Sequence, residues 1–240
     1  MAAVACHADS LASCSSSSSS HAAHAAEVIL LTNQEFTRDN CLVINGISPQ
    51  TSHEKLLALL SECGMLTQLQ LHESSDGRHY AYAQFFSRSE CSNCLQELDG
   101  CTLDARRLNM RRLSRSSQRK LRIQGQPLKV SQAVNAANHF LGPTGWSHSV
   151  ETLECKTFNA PVPPALQAEA EYRATVSVCG AGFHLSAAAT GSASAEDADM
   201  VKVRGRARKT AISNALRTAL SRLAIVRLSS GKTHVQILNA

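Results

Sequence analysis

At 240 residues the chain can hold one large or two small domains of the usual ~100–150 residues. Its 43% hydrophobic and 18% charged residues suit a buried core, and no run approaches the ~20 apolar residues of a bilayer span, which excludes an ordinary transmembrane protein. The net charge of +5 is uneven: Ala105–Val150 and Met200–Ala240 contain no Asp or Glu, yet together hold 18 of the 24 Lys and Arg. Two basic blocks without counter-charge are the footprint of a phosphate-backbone binder, or else a pair of solvated basic surfaces.

The first 26 residues are almost entirely Ala, Ser, His and Cys, including the run Ser15–Ser20, and bury too little apolar surface to offset ordering entropy. Residues 1–37 are therefore expected to form a disordered tail. A transit peptide is the rival reading, but no Lys or Arg precedes Arg38. Nine irregularly spaced cysteines, no Asn-x-Ser/Thr sequon and no basic-then-apolar start predict reduced thiols and an intracellular protein.

From Cys41 the hydrophobic period changes repeatedly. CLVING (Cys41–Gly46) reads as a buried strand stopped at Asn-Gly. Thr51 and Glu54 have capping-box spacing before Leu56, Leu57, Leu59 and Leu60, predicting a helix that stops at Gly64. Leu69 and Leu71 alternate with Gln70 and His72 in a second strand. After a turn at Ser74–Gly77, Arg78–Phe86 alternates in a third. Ser87 and Glu90 repeat the capping spacing ahead of a helix ending at Gly100, and a last strand sets Leu108 and Met110 against Asn109 and Arg111.

The order β-α-β-β-α-β is the ferredoxin-like arrangement. Aromatics make up only 4% of the chain, yet Tyr80, Tyr82, Phe85 and Phe86 fall within seven residues. The segment Arg78–Phe85 resembles the RNP1 signature of the RNA-recognition motif (RRM), with His79 where Gly is usual. CLVINGI resembles the partner RNP2 strand, with Val43 where that family commonly has an aromatic. Tyr80 and Tyr82, two apart on a strand, would offer flat surfaces to unstacked bases, with Arg78 and Arg111 as phosphate contacts; packing under a loop or partner is the other reading. The domain is expected over 38–115, followed by a basic linker over 116–128.

Residues 129–240 form the second expected module. Ser131–Leu141 has helical spacing, LGPTGW stops it, and strands are expected around Ser149–Phe158, Glu171–Cys179 and Phe183–Ala187, the first pair broken by APVPP (Ala160–Pro164). Gly191–Asp199 reads as an acidic loop. A long helix over about Gly205–Leu223 carries Ile212, Ala215, Leu216, Ala219 and Leu223 on one face. Arg204, Arg206, Arg208 and Lys209 crowd its expected N-terminus, where cations are disfavoured by ~0.3–1 kcal/mol each, an arrangement that suits a phosphate cradle.

The segments AANHFLGPTGWSHSVETLE and RARKTAISNALRTALSRLA make roughly Lys129–Val226 similar to the DNA-annealing domain of the Rad fifty-two recombination family, and most closely to its small RRM-bearing relatives, the Rad-fifty-two-motif-containing proteins. The resemblance implies an α+β chain, an RRM followed by an α-β-β-β-α module. It also implies single-stranded DNA binding, strand annealing and self-association through that module. Arg217 matches a basic position of the family's inner groove, and Lys202, Arg204, Arg206, Arg208 and Lys209 join it as expected phosphate contacts. Thr218, Ser221 and Gln132 stand where the family has further basic residues, which weakens the groove.

Other signals fail. Gly231, Lys232 and Thr233 end like a P-loop, but Val226 occupies its first Gly position, so Ser230-Gly231 reads as a hairpin turn. Cys91 and Cys94 form a lone CxxC without a second pair and read as buried small residues. Trp146 reads as a core anchor. No catalytic constellation, metal or cofactor is expected. The sequence-level conclusion is a non-enzymatic binder of single-stranded DNA or RNA in recombination and repair, in the nucleus, with nucleolus and cytoplasm as further compartments and no membrane association. The alternatives are an RNA-processing factor dominated by the RRM and an adaptor whose incomplete RRM binds a peptide.

Overall fold

The computed structural model describes residues 26–32, 39–114, 128–159, 168–195 and 200–238. The first unit is a four-stranded antiparallel sheet built from β2 (Cys41–Ile47), β3 (Leu66–Glu73), β4 (His79–Phe85) and β7 (Asn109–Arg112), in the order β3-β4-β2-β7. Helices α1 (His53–Ser61) and α2 (Arg88–Leu98) contribute Leu56, Leu60, Cys91 and Cys94 to a core with Leu42, Ile44, Ala81, Ala83 and Phe85. Two details depart from expectation. β2 continues through Gly46, which takes φ +77° at a bulge and lies so close to β6 (Arg106–Arg107) that a Cβ would sit 2.3 Å from the Arg107 carbonyl oxygen. The cap of α1 is Ser52, accepting from the Lys55 N–H, because Thr51 instead donates to Asp104. Leu113, near the end of the domain expected over 38–115, is fully buried.

The second unit begins with α3 (Val130–Leu141) and runs through three long strands, β8 (Trp146–Asn159), β9 (Ala168–Gly180) and β10 (Phe183–Ala195), ordered β10-β9-β8. Their expected boundaries were short: Gly191–Ala195, read as loop, completes β10. Small residues keep the strand there because Gly191 lies under helix α4 (Met200–Ser221), where a Cβ would meet the Ala211 backbone nitrogen at 2.2 Å. Ala207, Ala211, Ala215 and Ala219, spaced every four residues, are fully buried on this contact. The hairpin β11 (Leu223–Arg227) and β12 (Thr233–Ile237) follows, closed around Gly231 as the Ser230-Gly231 pair predicts.

The expected 1–37 tail is corrected at one point. Glu27–Leu30 is a strand, β1, antiparallel to β11, with Ile29 and Leu31 essentially inaccessible to solvent. The Glu27 carboxylate accepts hydrogen bonds from the backbone N–H groups of Arg88 and Ser89 and from the hydroxyls of Ser87 and Ser89, so β1 caps α2 while pairing with the second unit's hairpin. Residues 1–25 and 33–37 of that tail, the expected linker apart from the buried Leu128, the APVPP segment and residues 196–199 lie outside the described residues.

A buried junction joins the two units. Phe86 packs edge-on against Phe140, ring centroids 6.3 Å apart, within the core of the second unit. Beside it, Glu90 accepts from the Met65 N–H at 2.8 Å and pairs with His139 at 2.7 Å and Arg227 at 3.7 Å. Gln132 donates to the Thr67 carbonyl at 3.2 Å, so the residue that stands for a groove arginine serves here as a tie between units.

Candidate nucleic-acid interface

Strand periodicity builds the platform. Along β4, Ala81, Ala83 and Phe85 are buried under the helices, which turns Tyr80 and Tyr82 to the opposite face. Antiparallel register sets Tyr80 between His72 of β3 and Asn45 of β2, and Tyr82 between Gln70 and Val43. The Tyr80 and Tyr82 rings meet edge-to-face at 5.7 Å, and the His72 ring lies stacked on Tyr80 at 5.3 Å, interplanar angle 20°. His72 is a third aromatic that sequence reasoning did not single out. Its signal was available, since it occupies the polar face of β3 and the hairpin places it opposite Tyr80. Its Nε2 is buried without a hydrogen-bond partner among the described residues, so stacking must offset that desolvation.

The far side of the platform is partly covered. Leu113 donates its N–H to the Cys41 carbonyl and packs with Cys41 and Val43, and Tyr82 leans on this small cluster. Burial accordingly pushes the Tyr82 phenol above its ordinary range. The β2 position that lacks an aromatic is thus a covered apolar spot. Arg111 pairs in register with Val43 and is exposed there. Arg78 lies at the opposite end of the sheet, bound at 2.9 Å to Asp76, whose carboxyl is held below its usual range chiefly by a hydrogen bond from the Ser74 side chain.

Helix α4 starts five residues earlier than expected, because the buried stripe continues upstream through Val203. This corrects the dipole argument. Only Lys202 falls in the first turn, and the helix-end field fades beyond it, so the helix terminus adds little to the charge of Arg204, Arg206, Arg208 and Lys209. At 100° per residue the cations divide into two groups. Arg204 and Arg208 lie beside the buried stripe. Arg204 donates to the Tyr172 hydroxyl at 3.1 Å and sits 5.1 Å over the Phe158 ring, and Arg208 sits 5.0 Å over Tyr172. Lys202, Arg206 and Lys209 are exposed within a sector of roughly 60°, and Arg217, half-buried, lies about two turns further along the helix. Arg217 is steadied by a 2.9 Å bond to Asn214 Oδ1, and Asn214 is anchored to the Thr190 carbonyl.

The remaining signals resolve into packing. Cys91 and Cys94 are fully buried, and desolvation pushes the Cys91 thiol up to about 11. Trp146 is buried, its Nε1–H donating to Asn138 Oδ1 at 2.9 Å. Among the described residues no helix is long and apolar enough to cross a membrane.

With this geometry in hand, comparison with known families is decisive. The model of the Rad52/22 family double-strand break repair protein matches residues 102–237, more than half of the chain. The chain belongs to the Rad52/22 family. The RNA recognition motif matches residues 42–109, so the two matches meet in the last strands of the first unit. Family and motif together make nucleic-acid binding in DNA repair the coarse function. Among solved structures, the chain is similar to the RNA15 RRM (23% identity, 33% of this chain and 95% of that one, TM-score 0.30) and to Pes4 RRM3 (16% identity, 31% and 92%, TM-score 0.30). It is also similar to the C. elegans NONO-1 homodimer (18% identity, 34% of this chain and 32% of that one, TM-score 0.28). Comparison with curated proteins found no match.

Proposed function

We propose that this Rad52/22-family protein binds single-stranded nucleic acid without catalysing a reaction, acts in DNA recombination and repair in the nucleus, and associates with itself through its second unit. The observation that carries the reading is the array of His72, Tyr80 and Tyr82 on one sheet face, each ring within 5.7 Å of the other two. A duplex keeps its bases stacked on one another, so an aromatic face of this kind can take bases only from an unpaired strand. The outward cations of α4 supply the second requirement, backbone neutralisation without base reading. The phosphate contacts are then Arg111, Lys202, Arg206, Lys209 and Arg217, while Arg204 and Arg208, engaged with Phe158 and Tyr172, serve as supports that reach phosphate by releasing a ring.

The test is a titration of the full chain with single-stranded DNA, single-stranded RNA and duplex at several salt concentrations. Tighter binding of single strands than of duplex is expected. A strong excess of RNA over DNA affinity would favour RNA processing, and absence of binding to all three would leave the peptide-adaptor reading.

A further inference from the structure

An open cleft of about 420 Å³ lies at the end of the platform, with Asn45, Gly46, Ser74, Asp76, Arg78 and Tyr80 among its lining residues. The turn that forms its rim is closed by two backbone bonds, Ser74 N–H to the Arg78 carbonyl at 2.8 Å and Gly77 N–H to the Ser74 carbonyl at 2.9 Å. Asp76 and Arg78 are thereby held side by side, 2.9 Å apart, next to the ring that would stack a base. Arg78 was expected to contact phosphate, but the adjacent carboxylate repels phosphate and leaves the pair nearly neutral. The contact runs from Arg78 Nε to Asp76 Oδ2, so the pair sets carboxylate acceptors beside guanidinium donors, which suits the edge of a base.

The four bases differ in what they can offer such a pair. An ionised carboxylate only accepts, and only guanine brings two neighbouring donors, N1–H and N2–H, with an acceptor, O6, beside them. Adenine and cytosine present one exocyclic amine, and thymine or uracil one N–H between two carbonyls. We infer that this cleft reads a guanine stacked at Tyr80 in a single strand, Asp76 accepting from N1–H and N2–H while Arg78 donates to O6. The inference rests on the single-strand stacking reading above and adds a base preference to it.

The experiment measures fluorescence anisotropy of the full chain with ten-nucleotide oligothymidines carrying one central guanine, inosine, adenine or cytosine, alongside an oligouridine RNA series of the same design. Guanine should bind roughly tenfold tighter than adenine, cytosine or the unmodified oligomer, and inosine, lacking the N2 amine, should fall between. Asp76→Asn, at an exposed turn, should erase the preference. A guanine preference confined to the DNA or the RNA series supports the inference and names the strand. Equal affinity for all bases would overturn the inference and leave single-strand binding intact. So would inosine binding as well as guanine, or a guanine preference that survives Asp76→Asn. Loss of all binding in the parent would overturn the stacking reading and this inference together.

Discussion

Replacing Glu90 tests how much one carboxylate shared by both units contributes to the stability of the chain. The residue is 7% exposed and belongs to α2, yet its partners come from β3's approach, α3 and β11: Met65 N–H at 2.8 Å, His139 Nε2 at 2.7 Å and Arg227 Nη1 at 3.7 Å. Glu90→Ala leaves the Met65 N–H without its acceptor, which costs about 1–3 kcal/mol for a bond to a charged group. The ion pairs add less. The His139 and Arg227 side chains are 44% and 39% exposed, so water screens them and their joint contribution is held to about 1 kcal/mol. The expected loss is therefore about 2–4 kcal/mol in urea denaturation of the full chain. Glu90→Gln, which keeps an acceptor for Met65, should lose about 1 kcal/mol, and a double-mutant cycle with His139→Ala should return a coupling below about 1 kcal/mol. If Glu90→Ala and Glu90→Gln both stay within about 0.5 kcal/mol of the parent, the shared carboxylate is a passive contact and the reasoning fails.

Three further outcomes are expected. Tyr80→Ala and Tyr82→Ala should each weaken single-strand binding by ~1–3 kcal/mol, with Tyr80 the larger because Tyr82 is already partly engaged with Leu113; unchanged affinity in a folded double variant would refute the stacking platform. Changing Arg206, Lys209 and Arg217 to Gln in the full chain should flatten the log-affinity against log-salt slope by ~0.7 per lost contact on single strands, and identical slopes would remove α4 from the interface. Ile29→Ala should destabilise the full chain by about 2–5 kcal/mol, as for a core isoleucine, whereas an effect under about 0.5 kcal/mol would mean that β1 is not an integral strand.

The legible parts of this molecule were those whose signal is local. Period-two alternation in Arg78–Phe86 turned both tyrosines to one face, and Ser87 caps α2 by accepting from the Glu90 N–H, as the spacing of the two residues predicts. What escaped depends on pairings distant in sequence. β1 is four residues long and follows an Ala/Ser/His-rich stretch; its buried Ile29 gains meaning only from β11, nearly two hundred residues away. Glu90 read as the second half of a capping box, and its place on α2 was right, but its side chain turned away to Met65 of its own unit and His139 of the other, which no spacing within α2 could reveal.

The same distinction governs the basic helix. Gly205 and a run of cations looked like a helix start because local rules put a weak helix former and an anion site there. Tertiary packing overrides both: the stripe Val203, Ala207, Ala211, Ala215 lies against the β9–β10 sheet from the first turn onward, so burial holds the helix together through Gly205. The consequence reaches function. A phosphate seated on a helix terminus would be held partly by backbone N–H groups, which release no counterions and leave part of the affinity insensitive to salt. On the proposed interface, phosphates along the exposed cations of α4 would meet side-chain charge alone, so affinity there would fall with salt in proportion to the number of cations engaged. The position of the helix start would then set how strongly the proposed binding by this unit responds to ionic strength.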